Sequence, residues 1–226
     1  MSSSSHLRVA GATRPLEAVA YCHRERQGAR GMNVATARIL AGTDAAHPDG
    51  QYTTVAKWFH WITLVLMAVA LPVGFIIKYL KDEPFATKMV FYAVHESAGL
   101  TILFVTIARL VWRVTNPPPP LPDHIPAPVR LAATTVHWLL YLGLIVQPVL
   151  GFVMTNAFGF PMQGATAYLG VIDIPALVAE NQALAGTLKT LHTWVGYSIA
   201  VLLAAHIAGA VYHHAIRRDG TLMRML

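Results

Sequence analysis

Five histidines stand inside long stretches of this sequence that carry almost no charge: His60, His95, His137, His192 and His206. An imidazole can ligate a metal or exchange protons near neutral pH. In a membrane span it is costly without a partner, so it is a candidate functional residue by default. A hydrogen bond between helices is the simpler interpretation for any one of them, and the spacing of the set decides between the two.

The spacing of the histidines predicts two sites at different depths. His192 and His206 are 14 residues apart, just under four helical turns, so both lie on one face and are separated by roughly 21 Å along the axis. His60 matches the depth of His206, and His95 matches that of His192. We therefore predict two bis-histidine sites stacked across the bilayer: a terminal-side pair, His60 and His206, and a loop-side pair, His95 and His192.

The ligand set favours a b-type haem. Two facing imidazoles without carboxylate or thiolate suit axial haem ligation better than zinc, which takes three or four protein ligands. The single Cys22 rules out a cysteine-based metal site. Glycine stands four residues after each histidine of the loop-side pair, at Gly99 and Gly196, on the histidine's own face. We interpret both as room for the edge of a haem; a close helix contact is the alternative.

Four further residues are candidates for the terminal side. Arg109 follows His95 by 14 residues, which places it on the same face at the depth of the terminal-side pair. A buried arginine needs an anion, and a haem propionate is one. His137 has no partner at equal spacing, and we interpret it as a quinone-site, propionate or interfacial residue. His213 and His214 are predicted to relay protons to a reduced quinone, with an interfacial pair as the alternative.

The composition predicts an all-α integral membrane protein. Hydrophobic residues make up 55% of the 226 residues and charged residues only 12%, which excludes a disordered chain, a coiled coil and an ordinary water-soluble enzyme. The net charge is +6, and the basic residues that produce it lie in loops and tails. We therefore expect a lipid bilayer as partner and no nucleic acid. We predict a four-helix bundle with haem bound between helices, which span residues of about 55–78, 89–113, 131–155 and 190–216.

The loops set the expected orientation and domain organisation. Basic residues are more frequent beside the termini than in the opposite loops, which predicts that both termini are cytoplasmic. Residues 1–50 are rich in Ser, Ala, Gly and Arg and are expected to form a mobile cytoplasmic arm, followed by the membrane domain at 51–226. The long loop between the third and fourth spans is expected to hold a short amphipathic segment around residues 174–184.

The sequence from Tyr52 to Leu226 resembles the bacterial cytochromes b561 of the short four-helix type. The segments that carry the resemblance are YTTVAKWFHW, VHESAG, RLVWRVTNPPPP, HWLLYLGLIVQPVLG and LHTWVGYSIAVLLAAHIAGAVYHHAIRRDGTLMRML. The resemblance implies a haem-dependent oxidoreductase of the bacterial inner membrane, with two haems b, that passes electrons from a periplasmic donor to ubiquinone. In one branch the donor is superoxide, which is oxidised to dioxygen.

By motif position, the resemblance implies that the terminal-side pair ligates the cytoplasmic haem and the loop-side pair the periplasmic haem. It also implies that His213 and His214 lie near the quinone site. Two other functions stay open from the residues alone. The chain could be the membrane cytochrome subunit of a larger dehydrogenase or hydrogenase that receives electrons from a redox protein, or a transporter of metal ions or small solutes. Four spans without paired broken-helix repeats are not typical of transporters.

Overall fold

The structure, a computed structural model, describes residues 50–120 and 125–226. The predicted arm, residues 1–50, lies outside the described residues except for its last position. The described chain is helical and holds no β-strand apart from one isolated bridge. Its long helices are α1 (Thr54–Ile77), α2 (Phe85–Thr115), α3 (Ala127–Ala157) and α4 (Gln182–Val211).

All four long helices are long and apolar enough to cross a membrane. Their apolar side chains point largely outward: Trp58, Trp194 and Val201 are 66%, 67% and 70% exposed. Such surface would be unfavourable in water, but lipid covers it at no cost. The prediction of an all-α, multi-pass membrane protein is therefore confirmed.

The helices pack as two hairpins placed side by side. α1 packs on α2, α3 packs on α4, and α2 contacts α3 between them. The small buried core consists of Ala70, Ala98, Ile102 and Leu144. Since so few side chains fill the centre, the space between the hairpins is left to the histidine-bearing faces.

Three helices begin earlier than hydropathy predicts, because the helical segment extends beyond its apolar part. α2 begins at Phe85 rather than near residue 89, α3 at Ala127 rather than near residue 131, and α4 at Gln182 rather than near residue 190. Asn181 caps α4 by accepting a hydrogen bond from the backbone N–H of Leu184, which is an effective way to start a helix. The expected amphipathic segment is absent as a separate element, since residues 174–181 are not helical and α4 takes up the remainder.

The end of α4 is irregular and leads into a C-terminal tail that folds back onto the bundle. A π-helical turn, Tyr212–Arg217, continues α4. Further on, the Arg224 guanidinium donates hydrogen bonds to the carbonyls of Gly50 (2.7 Å) and Pro120 (2.8 Å). The Trp61 indole N–H donates to the carbonyl of Met225 (3.1 Å). The tail therefore ties α4 to the start of α1.

Candidate functional site

The structure brings the loop-side pair together. The ring centroids of His95 and His192 are 6.1 Å apart, with an interplanar angle of 80°. Nδ1 of His95 lies 2.8 Å from the carbonyl oxygen of Ala70, and Nδ1 of His192 lies 3.1 Å from that of Gln147. A carbonyl only accepts hydrogen bonds, so each Nδ1 carries the proton and each Nε2 keeps a free lone pair. That is the tautomer a metal ligand needs, and its orientation is fixed by the second bond.

Two glycines let these rings approach the neighbouring helix. A Cβ at Gly74 would lie 2.6 Å from Cε1 of His95, and a Cβ at Gly151 would lie 3.0 Å from Cε1 of His192. Each glycine follows its hydrogen-bonding carbonyl by four residues. The hairpins α1–α2 and α3–α4 thus share one arrangement. In each, a histidine of one helix packs against a carbonyl and a glycine that lie one turn apart on the other helix.

The loop-side pair lines an apolar cavity of about 60 Å³. Gly99 and Gly196 line it as well. A Cβ at Gly99 would meet no atom within 4 Å, whereas one at Gly196 would lie 3.1 Å from Nε2 of Gln147. The other amide atom, Oε1 of Gln147, is buried and has no hydrogen-bond partner. The cavity therefore combines free imidazole nitrogens with open space beside Gly99.

The terminal-side histidines form a cluster of three. The ring centroid of His206 lies 6.1 Å from that of His60 and 5.2 Å from that of His137. His137 was predicted to have no partner at equal spacing. In the structure, however, α3 places the ring of His137 closer to the ring of His206 than the ring of His60 is. The sequence signal that was missed is Gly151, 14 residues after His137, which repeats the spacing of Gly74 after His60.

Arg109 lies in the terminal-side cluster, where one guanidinium nitrogen is 3.3 Å from Nδ1 of His60. A guanidinium only donates, so Nδ1 of His60 accepts and the proton of this neutral imidazole is on Nε2. This is the reverse of the tautomer in the loop-side pair. The Arg109 guanidinium also lies 5.2 Å from the centre of the Tyr141 ring, and Arg113 lies 5.5 Å from that of Trp138.

No carboxylate pairs with either arginine, since His213–Asp219 is the one ion pair in residues 50–120 and 125–226. Positive charge at this depth without an anion is costly. Aromatic faces compensate for part of that cost. The arrangement suits an anionic group that approaches Arg109 from the centre of the bundle.

Glu96, which was not among the predicted site residues, follows His95 in α2 and keeps one carboxyl oxygen buried and without a hydrogen-bond partner. The two remaining candidates lie at the end of α4. His213 and His214 both lie in the π-helical turn, where His213 is partly buried and His214 is exposed. Asp219, which the sequence analysis did not consider, pairs with His213 at 2.5 Å.

The residues present fit haem b better than a metal ion held by protein alone. Both pairs have ring centroids 6.1 Å apart, a separation at which two imidazoles could ligate one metal ion between them. Within the described ranges, no group of three or more His, Cys, Asp or Glu side chains could hold a metal ion. Apolar walls, open space beside Gly99 and an arginine without a carboxylate all suit a flat, anionic macrocycle.

A multi-pass helical bundle with facing imidazoles toward both ends defines a membrane protein of the cytochrome type. The chain belongs to the prokaryotic cytochrome b561 family, whose pattern it matches over residues 51–226. Membership implies haem b as cofactor and electron transfer within a membrane. The resemblance predicted from the sequence is confirmed.

Curated relatives agree with this assignment. The chain is 32% identical over 178 residues to cytochrome b561 homolog 2 of Escherichia coli (strain K12), covering 78% of this chain and 91% of the relative. It is 27% identical over 179 residues to cytochrome b561 homolog 1 of the same organism, covering 78% and 97%. It is 28% identical over 177 residues to the probable superoxide oxidase CybB of Yersinia pestis, covering 78% and 96%.

Proposed function

We propose that this protein carries electrons across the bacterial inner membrane through two haems b, from a periplasmic donor to ubiquinone. The observation that supports this most is the presence of two facing histidine pairs on different helices, each with ring centroids 6.1 Å apart. The α4 members of the two pairs, His192 and His206, are 14 residues apart, or roughly 21 Å along the helix axis. His95 and His192 hold one haem, and His60 and His206 hold the other.

Haem b, when bound, supplies reversible one-electron redox chemistry. The protein orients each imidazole and keeps water away from the centre of the bundle. Arg109 contributes a positive charge beside the terminal-side pair, which compensates a propionate. The electron path runs through the apolar core between the two pairs.

The proposed orientation places both termini in the cytoplasm. Seven basic residues lie before the first span or beside the ends of the spans on the side of the termini: Arg38, Lys57, Arg113, Arg130, Arg217, Arg218 and Arg224. The loops and helix ends on the opposite side hold four lysines and four acids: Lys78, Lys81, Lys88, Lys189, Asp82, Glu83, Asp173 and Glu180. This asymmetry follows the positive-inside rule, and it makes the loop-side pair periplasmic.

The proposed donor is superoxide, supported by the similarity to a protein named as a probable superoxide oxidase. Two superoxide ions each lose one electron and leave as dioxygen. One ubiquinone gains both electrons and takes up two protons to become ubiquinol. Electrons, charge and protons balance without a further reactant.

The proposed acceptor site lies at the cytoplasmic end of α4. An open cleft of about 590 Å³ lies there, lined by His214, Ala215, Arg218, Gly220 and Met223. It combines hydrogen-bond donors with an apolar wall, which suits a quinone ring. His214 lines this cleft and His213 precedes it in the same turn, and both are proposed to supply protons.

The experiment that tests the proposal uses the purified protein alone. A pyridine haemochrome assay should give two haems b per chain, and a superoxide-generating system should drive ubiquinone reduction by the protein in detergent or liposomes. One haem per chain would contradict the paired sites. Two haems without superoxide-driven reduction would contradict the donor and retain the electron path.

A second candidate function is supported by the charge of the periplasmic loops. Their four lysines and four acids cancel, whereas capture of a small anion benefits from a positive surface. A neutral surface of mixed charge instead suits a docked redox protein, and the chain would then act as the membrane cytochrome subunit of a dehydrogenase or hydrogenase. Purification from native membranes separates the candidates, since a stable subunit would co-purify and its removal would abolish haem reduction.

A further inference from the structure

His213 and Asp219 form a close pair at the end of α4. Nδ1 of His213 and Oδ2 of Asp219 are 2.5 Å apart, and the two side chains are 13% and 5% exposed. The pair spans a π-helical turn, and Arg218 between them has a left-handed conformation with φ 51°. π-Helical turns and left-handed non-glycine residues are uncommon and cluster at functional sites.

The turn holds Asp219 as an ionised acceptor. Its second oxygen, Oδ1, accepts a hydrogen bond from the backbone N–H of Thr221 (3.1 Å). Burial alone would raise the pKa of Asp219, but the hydrogen bonds from His213 and Thr221 outweigh burial and lower the pKa to about 2. The backbone N–H of Arg218 also donates to the carbonyl of His213, so main chain and side chain fix the same histidine.

A carboxylate at Nδ1 determines what Nε2 of His213 can do. Asp219 only accepts, so the Nδ1 proton is directed toward it and Nε2 becomes the atom that gains and loses a proton. A histidine oriented in this way is suited to general acid catalysis.

We propose that Asp219 is a positioning residue that holds His213 so that Nε2 delivers protons to ubiquinone at the cytoplasmic end; this rests on the proposed function. Each turnover brings two electrons, one at a time, through the terminal-side pair. Two O–H bonds form on the quinone oxygens. For each, the Nε2–H bond of His213 breaks and re-forms with a proton from cytoplasmic water.

The other groups around His213 do not replace Asp219. In the described part of the chain, its ring makes polar or ring contacts with Asp219 and with Tyr212, whose centroid is 5.7 Å away. The remaining titratable or charged side chains of residues 212–219 are His214, Arg217 and Arg218, and none of them is an anion. Asp219 is therefore the single carboxylate in this segment.

The C-terminal tail connects this turn to the terminal-side pair. The carbonyl of Met225 accepts a hydrogen bond from Trp61, whose ring centroid lies 5.5 Å from that of His60. Proton delivery and the proposed electron exit are thus parts of one packed region, which suits a reaction that consumes both protons and electrons.

The test measures the last step alone. Chemically reduced holoprotein is mixed with a short-chain ubiquinone, and haem oxidation is followed by stopped-flow absorbance over a range of pH. Asp219→Asn retains an oxygen that accepts from Nδ1 but removes the charge. We expect a rate roughly tenfold lower, with a changed dependence of the rate on pH. Asp219→Glu should restore part of the rate, and Asp82→Asn, an exposed residue of the opposite loop, is the matched control.

The outcomes separate the inference from the function on which it rests. Wild-type protein that is not oxidised by ubiquinone would overturn both. Wild-type oxidation with the same rate and pH profile in Asp219→Asn would overturn the role of Asp219 alone. A variant that loses haem or its native spectrum would show that Asp219 is a scaffold residue, which also overturns the inference.

Discussion

The two histidine sites of this bundle use the same side chain but set it in opposite ways. In the loop-side pair, backbone carbonyls hold both Nδ1 atoms and leave both Nε2 atoms free. In the terminal-side cluster, Arg109 donates to Nδ1 of His60, and two imidazoles, His60 and His137, lie against His206. The first arrangement is ready for a metal, whereas the second requires Arg109 to move before Nε2 of His60 can bind one.

This difference shows how the partner of a histidine determines its chemistry. A backbone carbonyl cannot move far within a helix, so the loop-side tautomer is permanent. A guanidinium on a long side chain can leave His60 when a propionate arrives, because the ion pair is stronger than a bond to a neutral ring. The loop-side pair is therefore a rigid socket, and the terminal-side cluster is assembled together with its ligand.

The largest expected effect is the loss of one haem. His95→Ala or His192→Ala should remove the loop-side haem and retain the other, and His60→Ala or His206→Ala should do the reverse, because a haem with one axial histidine is weakly held. Haem content should fall from two to one per chain in the pyridine haemochrome assay. Loss of the same haem in His60→Ala and His192→Ala would contradict the pairing.

The next effect concerns the glycines of the loop-side pair. Gly74→Ala should lower occupancy of the loop-side haem strongly, because its Cβ would lie 2.6 Å from Cε1 of His95. Gly151→Ala should lower the occupancy less, because its Cβ would lie 3.0 Å from Cε1 of His192. Haem content and reduced-minus-oxidised spectra measure the loss. The control is Gly186→Ala in α4, where a Cβ meets no atom within 4 Å. Equal haem content in all three variants would contradict the rigid socket.

A smaller effect is expected on the terminal-side potential. Arg109→Leu should lower the potential of that haem by roughly 60 mV, a factor of ten in its redox equilibrium, because the positive charge stabilises the reduced form. Arg109→Lys should recover part of the shift, since it restores the charge without the planar fork. A redox titration of both haems measures this. A shift of equal size in the potential of the loop-side haem would show that Arg109 does not act specifically on the terminal-side haem.

The smallest effect is expected from the N-terminal arm. Deletion of residues 1–31 should change neither haem content nor quinone reduction, because the family match begins at residue 51. The same two assays measure it. If either site lost its haem in the truncated protein, the arm would be part of the assembly, and a loss at one site alone would show which of the two depends on it.

The sequence predicts the spans and the depth of the histidines well, because hydropathy and the helical repeat determine both. It does not predict which atoms meet across helices that are distant in the chain. The bond from His192 to the carbonyl of Gln147 and the contact of His137 with His206 depend on how each helix is rotated and shifted against its neighbour. Asp219 was missed for a related reason, since only the π-helical turn brings it back to His213. The early start of α4 was missed because hydropathy marks the apolar part of a helix and not its cap.

The repeated carbonyl and glycine of the two hairpins have a consequence for the cofactor itself. A haem is asymmetric about the line that bisects its propionates, so it can enter a pocket with either face forward. The loop-side pair presents a histidine and a glycine from each hairpin, and it therefore has little basis for choosing a face. Two insertion isomers should coexist there in comparable amounts and appear as doubled haem-methyl resonances in NMR spectra. The terminal-side cluster, with Arg109 on one side and His137 on another, should give a single set.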